Sequence, residues 1–248
     1  MKRSWSQMGM PITLEIVDER VTAEPFGVVR DYFTTVDETF STYKPASEIS
    51  RINRNELPID EWSPEVKKVL ELCDETRQAT DGYFDIRRDG VIDPSGLVKG
   101  WAINQAAKLL HKEGFKSFCL EVGGDIQVSG RNRTGQHWRI GLRNPFNASE
   151  IVKTVTVGSG GVATSGTAER GAHIYNPRSP AKLISEVISL TVIGPNIYEA
   201  DRFATAAFAM GRAGIDFIER LAGFEGYMID NRRLATLTSG FERYVVTP

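Results

Sequence analysis

The stretch SFCLEVGGDIQVSG, residues 117–130, decides the fold. SFCLEV reads as a short apolar strand, GGD at 123–125 as a tight turn, and IQVSG as a second strand. Strands joined by so short a turn pair antiparallel. The same glycine pair would let main chain lie against a flat ligand; a plain hairpin explains it equally well.

Working outward, the downstream segments HWRIGL (137–142), IVKTVTV (151–157), AHIY (172–175) and EVISLTVI (186–193) continue the pattern. GYMID (226–230), RLATL (233–237) and RYVVT (243–247) close the chain, and PITLEIV (11–17) alternates like a half-buried strand near its start. Helices are predicted where apolar residues recur at three- and four-residue spacing. The first carries Phe26, Val29, Phe33, Val36 and Phe40. The second starts at Ser63-Pro64 and carries Val66, Val69, Leu70 and Cys73, until DGYFD (81–85) breaks it. A third carries Ala102, Ile103, Ala106, Ala107, Leu109 and Leu110 and stops at Gly114; a fourth covers 198–210 and ends at Gly211; a short fifth covers 215–221. Residues 41–55, STYKPASEISRINRN, read as a polar loop. Helices and strands segregate, so the class is α+β: one domain over residues 1–248, with a mixed, largely antiparallel sheet and flanking helices.

Composition narrows the function. A formal net charge of −2 over 248 residues leaves no basic field to hold nucleic acid, so any anion must be bound locally. Cys73 and Cys119 lack metal-ligand spacing and read as reduced core thiols. The start, MKRSWSQMGMPITLEI, is basic but has no apolar run before Ser4–Gln7, and nowhere do about 18 apolar residues run together. A cytoplasmic chain without a transmembrane segment is the expectation.

Three segments carry candidate chemistry. DPSGLVKGW (93–101) resembles a phosphate loop through Ser95, Gly96, Lys99 and Gly100, but Lys99 precedes Gly100 and Trp101 stands where a Walker motif needs Ser or Thr. It either caps a helix or offers helix amides and a lysine to a phosphate. In EADRFAT (199–205), Asp201 and Thr205 are four apart and face the same way on a helix, flanked by small alanines. A carboxylate and a hydroxyl on one face suit a hard cation such as Mg²⁺; an ion pair and a back-bonded threonine suit the pattern too. GVATSGTAERGAHIYNP (161–177) offers Ser165, Gly166 and His173, the histidine a possible proton carrier. His111 and His137 read as surface or capping residues.

Taken in order, MGMPITLEI, FSTYKPASEISRIN, DPSGLVKGWAINQAAKLL, LEVGGDI, WRIGLRNP, VATSGTAERGAHIYNPRS and EADRFATAAFAMG resemble the ApbE family, the FAD:protein FMN transferases. The resemblance implies an ApbE-like α+β domain that binds FAD and Mg²⁺. It also implies release of AMP and attachment of FMN through its phosphate to a threonine or serine of an acceptor protein. It carries Asp201, Thr205 and a main-chain carbonyl, that of Val98, over as metal ligands. Tyr43 carries over as a flavin contact, and Glu121 with Gly123, Gly124 and Asp125 as the nucleotide-lining strand and turn. Ser95, Gly96, Lys99, Ser165, Gly166 and His173 complete the expected FAD site, with His173, Asp201 and Lys99 in catalysis. The family's Asp-Pro-Arg-Thr-Gly stands here as Asn176-Pro177-Arg178-Ser179-Pro180. Two other readings stand beside it: an FAD pyrophosphatase using the same metal site with water, and, from another class, a flavin-binding or storage protein without turnover.

Overall fold

Gly123 and Gly124 have φ of 54° and 87°, and Val122 pairs directly with Asp125 across them. Positive φ at both central residues is the type I′ turn that matches strand twist, so the hairpin expected at 117–130 forms. The structure is a computed structural model that describes residues 1–167, 174–181 and 183–246.

Along the chain the first elements are β1 (Lys2–Gln7), β2 (Met10–Ile16), α1 (Glu24–Phe40), α2 (Glu48–Asn53) and α3 (Pro64–Ala79). A two-residue pair, β3 (Arg87–Arg88) and β4 (Val91–Ile92), leads into α4 (Ser95–Lys112). Then come β5 (Phe118–Val122), β6 (Asp125–Ser129), β7 (Trp138–Asn144), β8 (Asn147–Val157), β9 (Gly160–Gly166) and β10 (Val187–Gly194). The chain continues through α5 (Ile197–Ala209), α6 (Gly214–Glu219), β11 (Glu225–Asp230) and β12 (Ala235–Leu237). Eight strands form one sheet in the order β1-β2-β5-β6-β9-β10-β11-β12, and β7 pairs β8 separately. Every pair among the described strands is antiparallel, so the α+β class and the largely antiparallel sheet both stand.

Side-chain alternation sends neighbouring residues to opposite faces of the sheet. Ala163, Val192 and Met228 join the core under the helices, while Val162, Ile193, Tyr227 and Ile229 join a second core with Trp138, Ile140, Val155 and Val157 of the β7–β8 hairpin. Helix starts follow their caps: Ser63 accepts from the Val66 N–H, and Asn196 from the Glu199 N–H.

Four expectations change. The loop at 41–55 contains α2, started by Ser47, whose side chain accepts from the Ser50 N–H. Of AHIY, Ile174 and Tyr175 carry no regular structure, and its first two residues lie outside the described ones. RYVVT is no strand over its described residues: Phe241–Tyr244 form a 3₁₀ turn, followed by a single bridge from Val245 to Val155, and Thr247 lies outside the described residues. β1 and β9 were not expected, because β1 is mostly exposed and β9 is rich in glycine and small residues.

Candidate active site

Two helices meet at a glycine. A Cβ on Gly100 of α4 would lie 2.6 Å from Asp201 Cβ and 3.0 Å from the Ile197 carbonyl, so only glycine permits this approach. Across that contact the Gly100 N–H donates to Asp201 Oδ2 at 2.9 Å. In a regular helix the same N–H serves the carbonyl four residues back, that of Gly96. Gly96 also lies against Thr205: a Cβ there would sit 3.7 Å from Thr205 Cγ2.

Asp201 is 4% exposed and Thr205, one turn on, is half-buried on the same face of α5. Thr205 Oγ1 lies 3.5 Å from Ser165 Oγ of β9. Lys99 Nζ sits 2.6 Å from Asp125 Oδ2 and 3.8 Å from Asp201 Oδ1. Asp125, 1% exposed, also accepts the Thr164 N–H. Two buried carboxylates therefore share one ammonium. Burial pushes the Asp201 carboxyl up to about 7, with Lys99 pulling the other way and Asp125 adding to the rise.

These groups open on a cavity of about 560 Å³, a size that holds a small-molecule ligand. Ser95, Gly96, Lys99, Glu121, Gly123, Gly124, Ser165, Gly166, Asp201 and Thr205 all line it, so most of the predicted site converges. Asp125 does not line the cavity; it lies behind Lys99. Val98 is 3% exposed in the core and sits inside α4, where the helix supplies the Ala102 N–H to its carbonyl. GLVKG thus forms the first turns of α4. Tyr43 is 95% exposed and is not among the lining residues. His173 lies outside the described residues, though Ile174 beside it lines the cavity.

Several lining residues escaped the sequence reading, among them Asp93, Tyr83, Tyr175 and Arg143. Asp93 had a readable signal, since an Asp two residues before a helix start can take its first amide, and Asp93 Oδ1 accepts the Ser95 N–H. The two tyrosines gave none. The segments 83–88 and 174–178 clasp each other, with Arg88 over the Tyr175 ring at 4.5 Å and Arg178 over Tyr83 at 5.0 Å.

The donor set suits a hard divalent cation. Among the described residues no three His, Cys, Asp or Glu side chains cluster as a metal site. What converges instead is a carboxylate and a hydroxyl, Asp201 and Thr205, oxygen donors of the kind a hard cation takes.

The antiparallel α+β fold thus frames one cavity lined by Lys99, Ser165, Asp201 and Thr205. The chain belongs to the ApbE family, whose sequence model matches residues 8–91 and 86–228. It is 25% identical to the FAD:protein FMN transferase of Vibrio cholerae, over 92% of this chain and 73% of that protein. It is 22% identical to the FAD:protein FMN transferase of Haemophilus influenzae, over 95% and 86%. The match to the Escherichia coli FAD:protein FMN transferase, at 28%, spans 57% of this chain and 43% of that one. The fold is that of the flavin transferase ApbE from Vibrio cholerae (TM-score 0.86, 21% identity, 98% of each chain). It is also that of the ApbE protein from Thermotoga maritima (TM-score 0.88, 19% identity, 100% and 99% of the chains). No helix among the described residues is long and apolar enough to cross a membrane.

Proposed function

We propose that this chain transfers the FMN half of FAD to a threonine or serine hydroxyl of an acceptor protein, with Mg²⁺ bound, and releases AMP. The observation that carries the reading is the convergence of Asp201, Thr205 and Lys99 on one cavity, a carboxylate, a hydroxyl and a cation placed to receive a metal diphosphate. The names of the family's curated relatives support it.

In the step proposed, the acceptor oxygen bonds to the FMN phosphorus and the P–O bond to AMP breaks. AMP leaves with the bridging oxygen, and the hydroxyl proton passes to a base. Asp201 Oδ1, Thr205 Oγ1 and a main-chain carbonyl would hold Mg²⁺, which neutralises diphosphate charge when bound. Gly96 fits the carbonyl position better than Val98, because it lines the cavity beside Thr205 while Val98 is buried in the core. Lys99 and the first-turn amides of α4 add positive field for the phosphates. Glu121 and the Gly123–Gly124 turn, with Ser165 and Gly166, form the walls against which the nucleotide lies. Tyr43 would meet the flavin only where the ring extends past that wall. His173 is the expected base; besides Asp201, the described carboxylates lining the same cavity are Asp85, Asp93 and Glu121.

The reading is tested by incubating the protein with FAD, Mg²⁺ and a panel of acceptor proteins and separating the products. Flavin fluorescence on a denatured acceptor band, with one AMP released per flavin bound, is the expected result. AMP and free FMN without a labelled acceptor would make the chain a pyrophosphatase. FAD retained intact would make it a binding protein.

A further inference from the structure

We propose that Asp125 is a positioning residue that holds the Lys99 ammonium away from Asp201, leaving Asp201 free to take a divalent cation. The proposal rests on the reading of Asp201 as a cation ligand given above.

The geometry is unequal. Lys99 Nζ lies 2.6 Å from Asp125 Oδ2 but 3.8 Å from Asp201 Oδ1, although the lysine and Asp201 stand on two helices in direct contact at Gly100. Asp125 is fixed from two sides: it begins β6 straight after the Gly123–Gly124 turn, and its Oδ1 accepts the Thr164 N–H of β9. Its side chain is 1% exposed, so water screens the pair weakly. Asp201 is fixed as well, through Oδ2 and the Gly100 N–H. Lys99 is the one long, flexible group among the three, and it follows the stronger anchor. With the Asp125 charge removed, Asp201, 3.8 Å away, is a carboxylate still within ion-pair reach of the ammonium. The lysine would then pair with the carboxylate that the cation needs, and a cation would have to displace it.

This differs from simple charge counting, in which Asp125 and Lys99 contribute independently to cation affinity. The test is a double-mutant cycle on the full chain without nucleotide. It uses Mn²⁺ alone as the probe, with free Mn²⁺ read by electron paramagnetic resonance. Asp125→Asn is expected to weaken Mn²⁺ binding. Lys99→Met should strengthen binding far more in the Asp125→Asn background than in the wild-type background, by a coupling of at least about tenfold. Effects that multiply independently would overturn the proposal. Asp125→Glu keeps a carboxylate for the lysine and is expected to bind Mn²⁺ within about threefold of wild type. Affinity as low as that of Asp125→Asn would count against it. Circular dichroism melts of each variant confirm that folded protein is compared. A wild-type chain that takes up no Mn²⁺ would sink the cation-site reading itself, whereas binding without coupling would sink only the role given to Asp125.

Discussion

Gly100→Ala puts one methyl group where the two site helices touch. The new Cβ would sit 2.6 Å from Asp201 Cβ, 2.8 Å from Asp201 Oδ2 and 3.0 Å from the Ile197 carbonyl. Alanine in a helix interior gains about 1 kcal/mol over glycine. Overpacking a tight contact costs about 1–3 kcal/mol. With two of the three contacts far below van der Waals distance and one against main chain, the upper end applies. The net loss is then about 2 kcal/mol, which lowers the melting temperature of a chain this size by roughly 4–8 °C. The methyl also pushes Asp201 off the Gly100 N–H, so flavin transfer should fall by about 100-fold, the scale of an ångström-sized misplacement. Gly27→Ala is the control: it lies exposed in the first turn of α1 with nothing within 4 Å of a new Cβ, and should stabilise by about 0.5–1 kcal/mol. Urea titrations and Mg²⁺-dependent labelling of both variants decide the matter. A Gly100→Ala protein as stable and active as wild type would refute the account of this contact.

Three further outcomes follow from the same geometry. Asp201→Ala should abolish more of the transfer activity than Lys99→Ala, because the lysine supplements a site that the carboxylate organises; an equal or greater loss for Lys99, measured at saturating Mg²⁺, reverses that ranking. Asn196→Ala removes the side chain that caps the Glu199 N–H at the start of α5, and should cost about 1 kcal/mol in chemical denaturation. Burial pushes the Cys73 and Cys119 thiols up to about 12, whereas the unfolded chain ionises them near about 8.5. The folded state then holds more protons above that pH, so stability should decline as pH rises from about 8.5 toward 12, and replacing both thiols with alanine should flatten that decline.

Where burial was one-sided, periodicity sufficed. The stripe from Phe26 to Phe40 and the glycine pair at 123–124 yield α1 and the central hairpin as read. α2 was missed because six residues after a proline show too little periodicity, and β1 because most of its side chains face water. The site is assembled from segments up to about a hundred residues apart, as in the bond from Gly100 to Asp201, and no local pattern announces such pairings. Family resemblance nominated Lys99, Ser165, Asp201 and Thr205, which the fold brings together. It could not say that Asp125 stands behind Lys99 rather than on the cavity wall, nor that Gly96 lines the cavity while Val98 is buried in the core. Those depend on how closely α4 and α5 pack.

Group transfer to protein is read by intact-mass spectrometry of an acceptor after incubation with FAD and Mg²⁺. The expected product is an acceptor heavier by one phosphodiester-linked FMN, with AMP released in equal amount, and no such adduct when Asp201→Ala replaces the wild-type chain. An acceptor of unchanged mass beside free FMN and AMP, or undiminished labelling by Asp201→Ala, would contradict it.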